Sequence, residues 1–286
     1  MGSRRAAGIE PPAASKGIWG TMRRVVIHLH GSSSDTTSLA SAIDFCRKLN
    51  ARLSVVFIRR TREFIPAPAD GIPGAFYETE VEAAPEAERA YREMCDGLSF
   101  ISYTEADIDS IDMITQNGLL HDLTVVERLT EREGSKVADF NTAVFGTGAP
   151  VMITPPAAMA TVAETPAVVW NASLPSARAI RSAVPLLRIA RKTTILSSAD
   201  NPHADPSALA RYLDCYGIKC ESATFRTDKL TARARGRSML EAARNAGADL
   251  LVMGAFGESK ITAMLGLGRA TEKVVMSSKV PLLVQA

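Results

Sequence analysis

Several functional classes are excluded by what this chain lacks. Only 6% of its 286 residues are aromatic, so its 46% hydrophobic content implies cores of alanine and branched aliphatics. It has no charge bias: 33 basic against 31 acidic residues leave a net charge of +2. That balance argues against a protein held to nucleic acid by a basic face. Cysteine is sparse. Cys46, Cys95, Cys215 and Cys220 have no zinc spacing and form no C-x-x-C, so they read as inert thiols in a reducing cytosol. No apolar run approaches the about 18 residues of a membrane span, and no membrane partner is expected. Arg4 and Arg5 lead into no apolar segment, which argues against a secretory signal. There is no G-K-[ST] phosphate loop and no G-x-S-x-G elbow. No set of nucleophile, base and acid can be named. His28 and His30 share a strand face, but His121 and His203 do not complete a pattern, so no metal is expected.

What the chain does have is a glycine-punctuated stretch near its end, Asp249-Leu-Leu-Val-Met-Gly254-Ala-Phe-Gly257-Glu-Ser-Lys260. Leu250 to Met253 is long enough for a buried strand, which Gly254 ends. Gly257 follows three residues later, and Gly266 and Gly268 open a final helix over Arg269 to Ser278. Strand, glycine loop and helix start make a place where backbone N–H groups meet phosphate oxygens. The other reading of the same residues is a tight strand-to-helix turn without a ligand. Lys260 would pair with a phosphate in the first reading and be solvated in the second.

Strand and helix patterns alternate along the rest of the chain, predicting a parallel sheet with helices on both faces. Strands are expected at Arg24–Leu29, Leu53–Ile58, Leu98–Tyr103, Leu123–Val126 and Pro150–Thr154. Helices are expected at Thr37–Asn50, capped by Asp35 or Thr36, at Glu78–Cys95 and at Asp109–Asn117. Arg59 to Gly74, with three prolines, reads as loop. The turn Gly31-Ser-Ser-Ser-Asp35 is similar to the S-G-G-x-D-S loop of ATP pyrophosphatases, but a polar turn with a helix cap is favoured. The pattern then restarts, with strands at Ala167–Trp170, Thr193–Leu196, Lys219–Phe225, Leu250–Met253 and Pro281–Val284. Helices at Ser176–Ala190, Asp205–Tyr216 and Thr231–Ala246 lie between them. Asp122-Leu-Thr-Val-Val-Glu127 corresponds to Asp249-Leu-Leu-Val-Met-Gly254, and Pro150-Val-Met-Ile to Pro281-Leu-Leu-Val, so the halves are a repeat. The expected division is a disordered extension over 1–21, a first domain over 22–156, a linker over 157–164 and a second domain over 165–286.

On these residues the chain resembles the universal stress protein family, whose signature is a strand like D-L-L-V-M-G, then G-x2-G, about nine residues, and a glycine with a small hydroxyl residue. Eight residues separate Gly257 from Gly266 and ten separate it from Gly268, with Thr271 the nearby hydroxyl. The resemblance implies two tandem Rossmann-like domains, adenine nucleotide alpha hydrolase-like, each an open five-stranded parallel sheet of order 3-2-1-4-5. It puts each half's switch point, where ligands sit in such sheets, between strands one and four. Carried over to this chain, Asn171 would meet adenine and ribose, and Gly254, Gly257, Ser259, Gly268 and Thr271 would hold ribose and phosphates. ATP or another adenine nucleotide is the implied ligand, with magnesium if it is ATP. The implied role is a non-enzymatic stress-response factor in the cytoplasm, working through protein partners. Two alternatives stay open: a slow ATP hydrolase or nucleotidyl-transfer relative using Glu258, and a ligand-free interaction module. The first half has Glu127 where a glycine would end strand four, and a carboxylate there repels a triphosphate, so that half is expected to be structural. The two halves are expected to pair through Val151–Ile153 and Leu282–Val284 as an internal pseudo-dimer, with a homodimer left open.

Overall fold

The computed structural model describes residues 22–32, 34–66, 76–82, 84–106, 110–128, 135–157, 161–227, 231–255 and 269–286. The first half runs β1 (Arg24–Leu29), α1 (Asp35–Leu49), β2 (Arg52–Ile58), β3 (Arg60–Pro66), β4 (Phe76–Glu82), α2 (Pro85–Cys95), β5 (Ile101–Ala106), α3 (Ser110–Gly118), β6 (Leu123–Glu127), α4 (Ser135–Asn141), a π turn (Thr142–Gly146) and β7 (Val151–Thr154). The second half runs β8 (Pro166–Trp170), α5 (Leu174–Leu187), β9 (Thr193–Ser198), α6 (Pro206–Asp214), β10 (Cys220–Phe225), α7 (Ala232–Asn245), β11 (Leu250–Gly254), α8 (Arg269–Ser277) and β12 (Leu282–Gln285).

Ten of these strands form one sheet, in the order β10-β9-β8-β11-β12-β7-β6-β1-β2-β5. Read from its outer edge toward the middle, each half has the 3-2-1-4-5 order of a parallel doubly wound sheet. The halves meet where β7 and β12 pair antiparallel, Val151 opposite Val284 and Ile153 opposite Leu282. That single antiparallel step reverses the strand direction, so the C-terminal ends of the two halves' strands point to opposite edges of the sheet.

Strands buried on both faces explain the continuous apolar runs. Along β11, Leu250 and Val252 enter one core while Leu251 and Met253 enter the other. The first core lies under α1, α2, α5 and α6 and takes in Leu39, Tyr91, Ile180 and Leu213. The second lies under α3, α4, α7 and α8 and takes in Ile114, Phe140, Ala243 and Val274. The junction between the halves is tied into this body. Val162 and Ala163 are buried, and the Glu164 and Thr165 amides donate to the Asp249 carboxylate at 2.8 Å each.

Four expectations need correction. Arg60–Pro66 is not loop but pairs antiparallel with Phe76–Glu82, and the helix expected from Glu78 begins only at Pro85. The register sets Arg60 opposite Glu82 and Arg62 opposite Glu80, opposite charges that favour a cross-strand pair. Thr79 and Val81 alternate with glutamates, a period of two that a glutamate count obscures. Leu98 to Phe100 forms a turn, so the third strand of the sheet starts at Ile101. The helix α4 and its π turn were not anticipated. Finally, Asp35 does not cap α1: the cap position is Ser34, without a side-chain bond. The extension expected over 1–21 lies outside the described residues.

Candidate functional site

In the second half β8 and β11 are adjacent and parallel, and their C-terminal ends carry Asn171 and Gly254. Asn171 is exposed and its amide is oriented by local bonds. Its Oδ1 accepts from the Ser173 amide at 3.1 Å, and its backbone carbonyl accepts from Asn201 Nδ2 at 3.2 Å. Ala172 turns through φ +60, and the Ser173 hydroxyl then caps α5 by accepting from the Ser176 amide. This cap leaves the first turn of α5 pressed against β11. A Cβ on Gly254 would lie 2.5 Å from the Ser176 nitrogen and 2.7 Å from the Pro175 carbonyl carbon. Gly254 thus has a packing reason of its own, separate from any phosphate. Thr271 is 5% exposed in the first turn of α8. Gly257, Ser259 and Gly268 lie outside the described residues, as do Glu258 and Lys260.

The first half has a different chemistry at the matching place. Asp35, buried, turns back onto the β1–α1 loop. One of its carboxylate oxygens accepts from the amides of His30, Gly31 and Ser32 at 2.8, 2.9 and 3.1 Å and from the Tyr91 hydroxyl at 3.0 Å. Burial, then the Asp35 charge, push the Tyr91 hydroxyl well above its ordinary pKa, so it remains a donor. The Ser32 hydroxyl lies 2.6 Å from Asp35 and 3.1 Å from Glu127. Ser34 donates to the other oxygen of Glu127. The end of β6 is therefore filled by a carboxylate that the preceding loop grips with two hydroxyls. His30 Nε2 lies 3.5 Å from Asp139 on α4. Glu127 was read from the sequence as a missing glycine; its hydroxyl partners were not, although the Ser-Ser-Ser run was the signal.

Beneath this loop His28 is 8% exposed, with Asn117 Nδ2 3.4 Å from its Nε2. Burial, then the imidazoles of His30 and His121, lower its pKa from 6.5 to about 3. An unfolded chain takes up this proton near pH 6.5 while the folded chain stays neutral. The contribution is therefore fully present above about pH 6.5 and is lost as pH falls toward 3, by up to about 1.4 kcal/mol per unit. His28→Leu is expected to flatten the acid limb of the stability curve, measured as urea midpoints at successive pH values. An unchanged slope between pH 6.5 and 4 would refute this. Among the described residues no group of three or more metal-ligating side chains occurs, and no helix is long and apolar enough to cross a membrane.

The span from β10 to β12, residues 221–285, matches the model of the universal stress protein family. The matched segment contains the whole glycine stretch. A universal stress protein from Archaeoglobus fulgidus has the same fold over nearly the full length, with a TM-score of 0.63 at 13% identity, covering 94% of this chain and 98% of that one. One from Pseudomonas aeruginosa gives 0.55 at 13%, covering 93% and 94%. The cytoplasmic domain of a prokaryotic cation chloride cotransporter gives 0.50 at 11%, covering 92% and 94%. At these identities the likeness establishes the fold, a tandem pair of universal stress protein-like sheets. No curated protein matches the chain in sequence.

Proposed function

We propose that this chain is a universal stress protein that binds one adenine nucleotide, in the crevice of its second half, and acts through protein partners rather than by turnover. The observation that carries this reading is the contrast between the two switch points. The β6 end is filled by Glu127, gripped by Ser32 and Ser34. The β8 and β11 ends carry an exposed amide and a glycine, with the glycine stretch following in the sequence. With Oδ1 of Asn171 committed to Ser173, its Nδ2 is the group available to a ligand acceptor such as a purine ring nitrogen. Magnesium, if ATP is the ligand, would arrive with the phosphates, since the Asp200 carboxylate at this end already accepts from the Thr227 amide. The free thiols of Cys46, Cys95, Cys215 and Cys220 fit work in a reducing cytoplasm.

Calorimetric titration with ATP and magnesium is expected to give one site per chain. Gly257→Val, at the position the family resemblance assigns to the phosphates, is expected to abolish binding while leaving the first half's sheet intact. Glu127→Gly is expected to create no second site, because the first half has no glycine loop. Two sites per chain, or one that survives Gly257→Val, would overturn the reading. Steady phosphate release from ATP that Gly257→Val removes would favour the hydrolase instead.

A further inference from the structure

The β7–β12 ladder is not the whole of the bonding between the halves. Arg128 directly follows β6, and its amide donates to the Thr154 carbonyl at the end of β7 at 2.8 Å. Its side chain crosses the seam into the second half. There Nη1 donates to the Ser278 carbonyl at 2.9 Å. Ser278 is 1% exposed and directly follows the last residue of α8. A carbonyl at a helix C-terminus has no donor within its own helix. A guanidinium placed there supplies one and also offsets the negative end of the helix dipole.

A second bond crosses the seam in the opposite direction. Gln285 ends β12 and is in register with Gly254 on β11. Its backbone carbonyl accepts from the Ala255 amide at 2.8 Å, as that of Thr154 does from Arg128. Its side-chain Oε1 accepts from the Ser182 hydroxyl on α5 at 2.6 Å, which leaves Nε2 to donate to the Gly148 carbonyl of the first half at 3.1 Å. Gly148 lies between the π turn and β7, the place that Ser278 takes between α8 and β12. Each half therefore closes the chain that follows the other half's last helix.

Both bonds bear on the second half's crevice. Arg128 holds the C-terminal end of α8, a helix of nine residues whose first turn carries Thr271. Its two ends are only about 13 Å apart, so a helix fixed at one end is positioned at the other. Gln285 holds the end of β12 directly beside Gly254. Meanwhile Glu127, the neighbour of Arg128, fills the first half's own crevice. Consecutive residues of one turn thus close one site and brace the other. We propose that Arg128, with Gln285 as its counterpart, is a positioning residue for the second half's site, and that the first half serves as the frame on which that site is held. The effect on affinity rests on the nucleotide reading above; the effect on α8 does not.

The test takes two measurements on the full chain. Hydrogen exchange of the ligand-free protein reads the brace alone. Arg128→Met is expected to speed exchange of the amides from Val275 to Ser278 at least about tenfold, the scale of a hydrogen bond to a charged group. Arg128→Lys keeps the charge and a donor and drops Nε, which is buried without a partner. It is expected to stay within about threefold of the wild type. Calorimetric titration with ATP and magnesium then reads the site. Arg128→Met and Gln285→Met are each expected to raise the dissociation constant at least about fivefold, and Arg128→Lys to restore it. If Arg128→Met melts too low for titration, Arg128→Gln, which keeps a donor without the charge, takes its place with the same expected direction. Unchanged exchange in α8, a lysine variant as impaired as the methionine one, or full affinity despite faster exchange would each overturn the proposal. A wild type that binds no nucleotide defeats the nucleotide reading instead, and exchange in α8 then decides by itself whether Arg128 braces the helix.

Discussion

Asp35→Ala is expected to cost about 4 kcal/mol, among the larger effects of any single substitution in the first half. Asp35 is 4% exposed and receives three backbone amides and two hydroxyls. The hydroxyls can reorient, and Ser32 has Glu127 within reach, but the amides of His30, Gly31 and Ser32 cannot. An orphaned buried donor costs about 1–3 kcal/mol, and three of them set the scale. Asp35→Asn keeps one carbonyl oxygen for the amides and can offer its NH2 to Ser32, so its cost is expected at about 1–2 kcal/mol. Urea unfolding of the pair reads the difference directly. An alanine variant within about 0.5 kcal/mol of the wild type would show that the loop holds its shape without the carboxylate.

That loop also shows how far residue patterns reach. The run Gly31-Ser-Ser-Ser-Asp35 is legible as a polar turn before a helix. Its direction of bonding is not, because a carboxylate in the first helical turn serves equally well forward, toward its own helix, or backward. Which it does depends on Tyr91, 56 positions away and brought close only by α2 packing. Burial of the β strands was easier to read, since a parallel sheet covered on both faces needs uninterrupted apolar runs such as Leu250–Met253. The family resemblance then supplied the strand order, and the last strands, Val151–Thr154 and Leu282–Gln285, were visible in each half. The β3–β4 hairpin escaped notice because its strands are rich in glutamate and arginine and pair mainly with each other. In the second half Asn171 and Gly254 were legible as strand ends. The committed Oδ1 of Asn171 and the helix pressed on Gly254 were not, because both depend on where α5 starts.

Gly254→Ala tests that last point. The added Cβ would lie 2.5 Å from the Ser176 nitrogen, 2.7 Å from the Pro175 carbonyl carbon and 2.8 Å from the Pro175 Cβ. Two of these are backbone atoms of a helix start held by the Ser173 cap and by a proline ring, so no flexible side-chain end can swing away. Either α5 lifts from β11 or β11 shifts within a sheet paired on both sides, to β8 and β12. Overpacking of this kind costs about 3 kcal/mol. For a chain of this size each kcal/mol lowers the melting temperature by about 2–4 °C, so a drop on the order of 10 °C is expected. Gly97→Ala is the comparison. Gly97 has φ +69 and nothing within 4 Å of an added Cβ, so its cost is the left-handed backbone alone, about 1–2 kcal/mol. The ordering matters more than either value: Gly254→Ala is expected to be the more damaging even though its backbone needs no left-handed conformation. Because α5 carries the Ser173 cap and abuts the Asn171 turn, the surviving folded fraction is also expected to bind nucleotide more weakly. If Gly254→Ala melts with the wild type, the close approach of α5 to β11 is relieved without cost, and the glycine is there for another reason.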